Sequence, residues 1–353
     1  MPDVREVYEM ITKEKTSEPG ALERQQKRQV RSARNKKIGA FAVAAAIAVV
    51  AVALILETRG GQNTRTPGNQ PSTVAPRTFS GPFFLDLRTG GKTPLAKNLA
   101  GGVSYVASPD GRRIAYSSSS SDGCVATDGI TVANIDGTDA RTFKSPAGLT
   151  YCSPRWSPDG TKLVYQERDA ADPFSVGNLF VRELSTGRRT QVTDLRLSKA
   201  EWWFLSPSFS PDGASVIFQM PRSSSETTKW DVWSVPVTGG EPTLVLRNAS
   251  FPMLNPAGGP EGVAIGFVSP RPDSFAGRSI MTGRPIPDSD IRRTLVEAKS
   301  SIWWPTFSPD GRRIAYQDGG SIYVVNVGTG NSSKLANGHT AEWLDNDTLI
   351  VAP

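Results

Sequence analysis

One tetrapeptide, Ser-Pro-Asp-Gly, occurs four times in this 353-residue chain, beginning at Ser108, Ser157, Ser210 and Ser308. The starts lie 49, 53 and 98 residues apart, the last interval being twice the first. Repetition at such a period is the mark of a modular array and outranks local propensity. Every copy sits in one frame, an aromatic or small residue before it and strand formers after it. Trp156 precedes one copy and Leu163-Val164-Tyr165 follow it; Phe209 and Val216-Ile217-Phe218 frame the next; Phe307 and Ile314-Ala315-Tyr316 frame the last. Proline presets the turn, aspartate bonds back to its own backbone, and glycine takes the positive φ that closes a hairpin. Asp110, Asp159, Asp212 and Asp310 therefore read as turn residues joining two strands, structural rather than catalytic.

The long interval predicts a fifth, degenerate copy, and Asn255-Pro256-Ala257-Gly258 supplies it ahead of the apolar run at residues 263–268. A sixth is expected where Trp343-Leu344-Asp345-Asn346-Asp347 leads into Thr348-Leu349-Ile350-Val351. Between these turns lie second strand pairs with their own turn glycines, most clearly at Gly90, Gly187 and Gly330. Six units of four short strands predict an all-β chain folded as a six-bladed β-propeller. The order also predicts closure. The first strand pair, near Phe83, has no turn unit before it, and the last turn unit has no pair after it, so the two halves complete one blade. An open array would leave those edges unpaired.

The aromatic-Ser-Pro-Asp-Gly-x-x-apolar frame resembles the WD40-like propeller repeat of the TolB family over residues 79–353. The resemblance implies the propeller fold; unrelated functions use the same fold, so it implies little about activity. TolB proteins are soluble, periplasmic and carry an additional N-terminal α/β domain. This sequence shows neither that domain nor a cleavable leader, so TolB partners are not carried over to it.

Residues 38–56 are 19 consecutive uncharged residues, mostly Ala, Val and Ile. As a helix they would span about 28 Å, close to a bilayer's hydrocarbon core. Residues 24–37 hold seven basic side chains and no acid. The positive-inside rule then puts a tail of residues 1–37 in the cytoplasm, a single transmembrane helix at 38–56, and the propeller outside. A cleaved leader is the rival reading; its short n-region and apolar core of 7–15 residues fit less well. Residues 57–78, polar and rich in Gly and Pro, read as a flexible linker.

The charge balance excludes one class of partner. Residues 1–78 carry 13 Lys and Arg against 7 Asp and Glu, whereas residues 79–353 carry 27 of each. The whole excess of +6 flanks the apolar segment, where it sets topology and attracts anionic lipid. A nucleic-acid binder needs a basic face on the folded domain, so no nucleic-acid partner is expected.

Chemistry is sparse. The two cysteines, Cys124 and Cys152, fall on one rim of a propeller, in a loop of one blade and at the lead-in to the next. Outside the cytoplasm a disulfide between them is expected; the alternative is two free buried thiols. The single histidine, His339, has no nucleophile elbow beside it, and one histidine with two cysteines makes a structural zinc site a poor reading. No phosphate-binding or dinucleotide fingerprint occurs, so neither a cofactor nor a metal is expected. Two tryptophan pairs, Trp202-Trp203 and Trp303-Trp304, stand in segments entering blades. One member of each is expected to pack between blades, and its neighbour is a candidate rim anchor, since tryptophan is enriched in binding hot spots.

The expected function is a membrane-anchored, extracytoplasmic, non-catalytic binding module for a protein or envelope ligand. The alternative is a sensor resembling membrane-bound anti-sigma proteins, with residues 1–37 engaging a cytoplasmic regulator through Val4, Val7 and Ile11. A propeller-type hydrolase is a third reading. Hydrolases of the prolyl-oligopeptidase type continue into a further α/β domain, and the sequence as given ends where the ring closes.

Overall fold

The computed structural model describes residues 81–99, 104–117, 129–172, 175–195, 204–222, 229–257, 265–271, 274–283 and 292–352. The expected tail, transmembrane segment and linker lie outside the described residues. Among those described, no helix is long and apolar enough to cross a membrane. The span Thr78–Pro353 forms one compact unit.

The described strands form six four-stranded sheets, each joined by antiparallel pairing. Blade 1 is composite. Its β1 (Phe83–Asp86) and β2 (Lys92–Pro94) wait for the chain's last two strands. Blade 2 comprises β3 (Ser104–Ala107), β4 (Arg113–Ser117), β5 (Ile130–Asn134) and β6 (Arg141–Phe143). Blade 3 comprises β7 (Leu149–Trp156), β8 (Lys162–Asp169), β9 (Asn178–Glu183) and β10 (Arg189–Gln191). Blade 4 takes β11 (Ser208–Phe209), β12 (Ser215–Pro221), β13 (Trp230–Pro236) and β14 (Thr243–Leu246). Blade 5 takes β15 (Ser250–Leu254), β16 (Ile265–Arg271), β17 (Ser274–Gly283) and β18 (Arg292–Glu297). Blade 6 takes β19 (Ile302–Phe307), β20 (Arg313–Asp318), β21 (Ser321–Asn326) and β22 (Ser332–Asn337). Finally β23 (Thr340–Trp343) and β24 (Thr348–Ala352) complete blade 1 in the order β2-β1-β24-β23. There β1 and β24 run antiparallel, Phe83 opposite Val351 and Asp86 opposite Thr348. The ring is closed by its two extremities, as the strand order in the sequence predicts.

The first strands of the blades, β3, β7, β11, β15, β19 and β23, touch one another in a closed cycle. They line the axis. Each begins at one rim, here called the loop rim, and ends at the other, the turn rim, where Ser-Pro-Asp-Gly carries the chain into the second strand.

The apolar triplet after each turn is explained by packing on both faces of a blade. Successive strand residues point to opposite faces. Leu163 and Tyr165 enter the cluster between blades 2 and 3, while Val164 enters the one between blades 3 and 4. Ile314 and Tyr316 face blade 5, and Ala315 faces blade 1. Six such clusters exist among the described residues, one at each blade boundary. A strand buried on both faces reads as a continuous apolar run rather than an alternating one.

Candidate functional site

The four turns share one geometry with serine at its hub. The Ser108 hydroxyl donates to Asp110 Oδ1 at 2.5 Å and accepts the Arg113 N–H at 2.9 Å. Ser157, Ser210 and Ser308 repeat this with Asp159, Asp212 and Asp310. Each aspartate also accepts the N–H two residues on, from Arg112, Thr161, Ala214 and Arg312 at 2.9–3.1 Å. Gly111, Gly160, Gly213 and Gly311 close the turns at φ of 68–72°. The Ser157 hydroxyl and then the Thr161 amide, outweighing desolvation, hold Asp159 at about 2. For Asp110 burial pushes upward, yet the Ser108 hydroxyl and Arg112 amide outweigh it and the carboxyl stays low. These carboxylates are consumed by their own turns.

Two boundaries carry a second device on the turn rim. Trp156, just before its turn, donates its indole N–H to the Val106 carbonyl of blade 2 at 2.9 Å. Arg113 of blade 2 lies over the Trp156 ring, 4.8 Å from its centroid, and donates to the Gly160 carbonyl at 2.6 Å. Trp343 and Arg313 repeat the arrangement between blades 6 and 1, with indole to Thr306 carbonyl at 3.0 Å and the guanidinium on the Asn346 carbonyl. In the degenerate copy, Asn255 takes the serine place, accepts the Ala257 N–H and donates to the Gly311 carbonyl of blade 6 at 3.2 Å.

The inner strands hold a repeat that the tetrapeptide frame leaves out. Ser153, Ser206, Phe251 and Trp304 have φ of 51°, 44°, 48° and 49°. Each stands four residues before its turn's first residue, and each precedes a proline: Pro154, Pro207, Pro252 and Pro305. The pairing register shifts across three of these steps, between Cys152 and Arg155, between Ser250 and Met253, and between Trp303 and Thr306. A left-handed, non-glycine residue before proline costs of order 1–3 kcal/mol, and the surroundings hold it. Gln219 Oε1 accepts the Phe251 N–H at 2.5 Å and its amide donates to the Phe204 carbonyl at 2.8 Å. Gln166 likewise accepts the Leu205 N–H at 3.1 Å and donates to the Val176 carbonyl at 2.6 Å. Both glutamines are fully buried. Each follows the apolar triplet of its repeat, one residue beyond the frame that identifies the turn.

Around these steps the loop rim is aromatic. The Trp304 ring meets Phe204 edge-on at 5.4 Å and Phe251 at 5.5 Å; Trp303 meets Phe251 at 5.9 Å. Trp304 packs on the pair of Cys152 and Phe204. These residues come from blades 3, 4, 5 and 6. Trp303 and Trp304 are both half-buried. Cys152 is fully buried and disulfide-bonded. Cys124, Trp202 and Trp203 lie outside the described residues. His339 is exposed. Among the described residues no three His, Cys, Asp or Glu side chains gather as a metal site would require.

Toward the turn rim, two residues before the turn position, Arg155 of β7 and Glu342 of β23 stand at the same register. Enclosure by the ring pushes the Glu342 carboxyl up to about 7, and the positive Arg155 pulls it the other way. By exposed area Glu342 is only part-buried, so its carboxyl keeps some access to water.

A structure of a TolB-like protein from Agrobacterium tumefaciens superposes with a TM-score of 0.52 at 17% identity, covering 77% of this chain and 96% of that one. The fold is a TolB-like six-bladed β-propeller. Among curated proteins, the Tol-Pal system protein TolB of Francisella tularensis is 26% identical over 227 residues, 59% of this chain and 46% of that protein. Dipeptidyl-peptidase 5 of Porphyromonas gingivalis is 28% identical over 175 residues, 42% of this chain and 24% of the peptidase. The chain thus spans about half of the TolB protein and a quarter of the peptidase. No protein-family model matches it.

Proposed function

We propose that the chain presents its propeller outside the cytoplasm as a non-catalytic binding module for a protein or envelope ligand, held by a membrane helix at residues 38–56. The observation that carries this reading is the TolB-like ring itself, whose sequence likeness to a Tol-Pal system protein spans 227 residues. Its repeated carboxylates are bonded within their own turns. A closed ring holds its rim loops rigidly, so contacts made there cost little conformational entropy. The half-buried Trp303 and Trp304, together with Trp202 and Trp203, are the residues best suited to anchor a partner at the rim.

Crosslinking in intact membranes, followed by purification of the full chain, tests the reading. A specific protein or glycan should co-purify and be lost on Trp303→Ala. Turnover of peptides or glycans by the purified chain would favour the hydrolase reading, which the peptidase likeness keeps in view. Fractionation of the chain with soluble material rather than membranes would defeat the anchor. Removal of residues 1–34 tests the sensor version: unchanged transcription would reduce the tail to a topology signal.

A further inference from the structure

One position of the repeat behaves differently in blade 6. Gln166 and Gln219, each just after an apolar triplet, are fully buried. Each accepts an N–H from the next blade's lead-in or inner strand and donates to a second carbonyl. Gln317 holds the same place in blade 6, yet it is half-exposed, and among the described residues its side chain makes no hydrogen bond. An amide carries one oxygen acceptor and two N–H donors, and near the loop end of β20 all of them are left open. Directly opposite Gln317 across the β19–β20 pair stands Trp303, which puts the two Cβ atoms about 5 Å apart. Trp303 and Trp304 are both half-buried, and they meet the same buried ring, Phe251, at 5.9 and 5.5 Å. Phe251 therefore backs two indoles that keep part of their surface in water. The carboxylate next to the amide, Asp318, is already engaged: it accepts the Lys299 and Ser300 N–H groups at 3.3 and 3.1 Å and the Ser300 hydroxyl. What the patch offers a ligand is aromatic surface beside an uncharged donor and acceptor.

We propose that this patch binds a neutral oligosaccharide, one pyranose ring lying on Trp303 with adjacent hydroxyls on the Gln317 amide, and the next ring reaching Trp304. The inference rests on the reading of the chain as a binding module outside the cytoplasm and names the ligand class of its rim. The C–H face of a pyranose is apolar and gains by covering an aromatic ring. Two adjacent hydroxyls, each a donor and an acceptor, match the N–H and C=O that an amide presents side by side. A purely apolar group seated on Trp303 would cover the amide and leave it unsatisfied, which is costly; a sugar satisfies it. The amide has no charge with which to select an acid or a cation, so the fitting glycan is a neutral one. Aromatic surface with a few placed polar groups is the usual make-up of a small-molecule site.

The test is titration of the purified full chain with cellotriose, maltotriose and tri-N-acetylchitotriose, read by isothermal calorimetry and by tryptophan fluorescence. At least one of the three is expected to bind at one site per chain and to shift the tryptophan emission. Its affinity should fall at least about tenfold in Trp303→Ala and in Gln317→Leu. Gln317→Leu breaks no side-chain hydrogen bond among the described residues, so its urea midpoint should stay at the parent's while binding is lost. Gln166→Leu is the reverse control, with a lower midpoint and unchanged affinity. Binding of none of the three sugars overturns the inference, and so does binding indifferent to both Trp303→Ala and Gln317→Leu. A protein captured through Trp303 by crosslinking in intact membranes, with no sugar bound in calorimetry, would refute glycan recognition and leave the binding-module reading standing. Capture of nothing, with no sugar bound, would defeat both.

Discussion

Replacing Gln219 by leucine isolates the cost of the strained proline steps. Gln219 is fully buried in β12, and its amide serves two backbone groups: the Phe251 N–H of the next blade at 2.5 Å and the Phe204 carbonyl of its own blade's lead-in at 2.8 Å. Leucine keeps roughly the volume and removes both bonds. Phe251 and Phe204 are themselves buried, so water does not replace the amide, and each orphaned group costs about 1–3 kcal/mol. The added apolar surface returns about 1 kcal/mol. The net loss is about 1–5 kcal/mol, equivalent to a thermal midpoint lower by about 2–20 °C in a domain this large. An internal control exists. Gln317 occupies the same place in the last repeat but is half-exposed, and no bond to the next blade's inner strand runs through it among the described residues. Gln317→Leu should cost under about 0.5 kcal/mol. Equilibrium urea denaturation, followed by tryptophan fluorescence, compares the two. Equal midpoints for both variants would refute the idea that the glutamines hold the left-handed residues in place.

Four further expectations follow from the same geometry. Arg113→Ala, which loses the Trp156 stack and the Gly160 carbonyl, should cost about 1–2 kcal/mol in urea denaturation, whereas exposed Arg112→Ala should be neutral. Asp159 is depressed to about 2 from 3.8, so its stabilisation is present above about pH 4 and lost as pH falls toward 2; Asp159→Asn should flatten the acid limb of a midpoint-versus-pH curve over that window. Glu342 is raised to about 7 from 4.5. Its charging opposes folding as pH climbs through that range, so Glu342→Gln should gain about 1–2 kcal/mol over the parent at pH 8 and nothing at pH 4, its partial exposure holding the figure below the full linkage value. We propose that Cys152 is bonded to Cys124, the only other cysteine; a bond spanning that loop contributes roughly 3–4 kcal/mol by chain entropy, and thiol alkylation without reductant should leave both residues unmodified.

The architecture is written in the sequence because it depends on backbone geometry that few residues satisfy. Only glycine sits easily at the φ near 70° that ends each Ser-Pro-Asp-Gly turn, so Gly111, Gly160, Gly213 and Gly311 recur where a blade turns. Blade number and ring closure follow from counting those turns and noting the unpaired halves at each extremity. The serine's part is harder to see: as a residue type it fits any loop, and only its buried hydroxyl, shared between Asp110 and the Arg113 amide, shows it to be the hub. The second proline of four of the six repeats stands at constant spacing in the sequence, at Pro154, Pro207, Pro252 and Pro305. What hides its meaning is that proline normally drives the preceding residue to extended backbone, and here four preceding residues are left-handed. The candidate site is less legible still. Arg155 and Glu342 are far apart in sequence and belong to different blades, and nothing local marks them as feeling each other's charge. Trp304 reads as a rim residue or an interblade one, and in the structure it is half-buried, edge-on to both Phe204 and Phe251.

The blade boundaries are alike in their apolar clusters and unlike in their polar fastenings, and that difference bears on function. Arg113–Trp156 and Arg313–Trp343 fasten the turn rim between blades 2 and 3 and between blades 6 and 1. Gln166 and Gln219 fasten the loop side between blades 3 and 4 and between blades 4 and 5. At the glutamine's place in blade 2 stands Ser117, buried, its hydroxyl without a partner and too short to reach the next inner strand. Across that same boundary the inner-strand residue in Leu205's position is Cys152, which is disulfide-bonded. With Cys124 as the proposed partner, a covalent link would stand where the boundaries between blades 3 and 4 and between blades 4 and 5 use an amide. A ring fastened on both rims cannot open one blade without breaking a buried bond, so ligands meet a preformed surface. The prediction that separates this from mere redundancy is a double-mutant cycle. Cys152→Ser and Gln166→Leu loosen successive boundaries of one rigid ring, and their costs should exceed additivity by more than about 0.5 kcal/mol; strict additivity would show that each boundary yields alone.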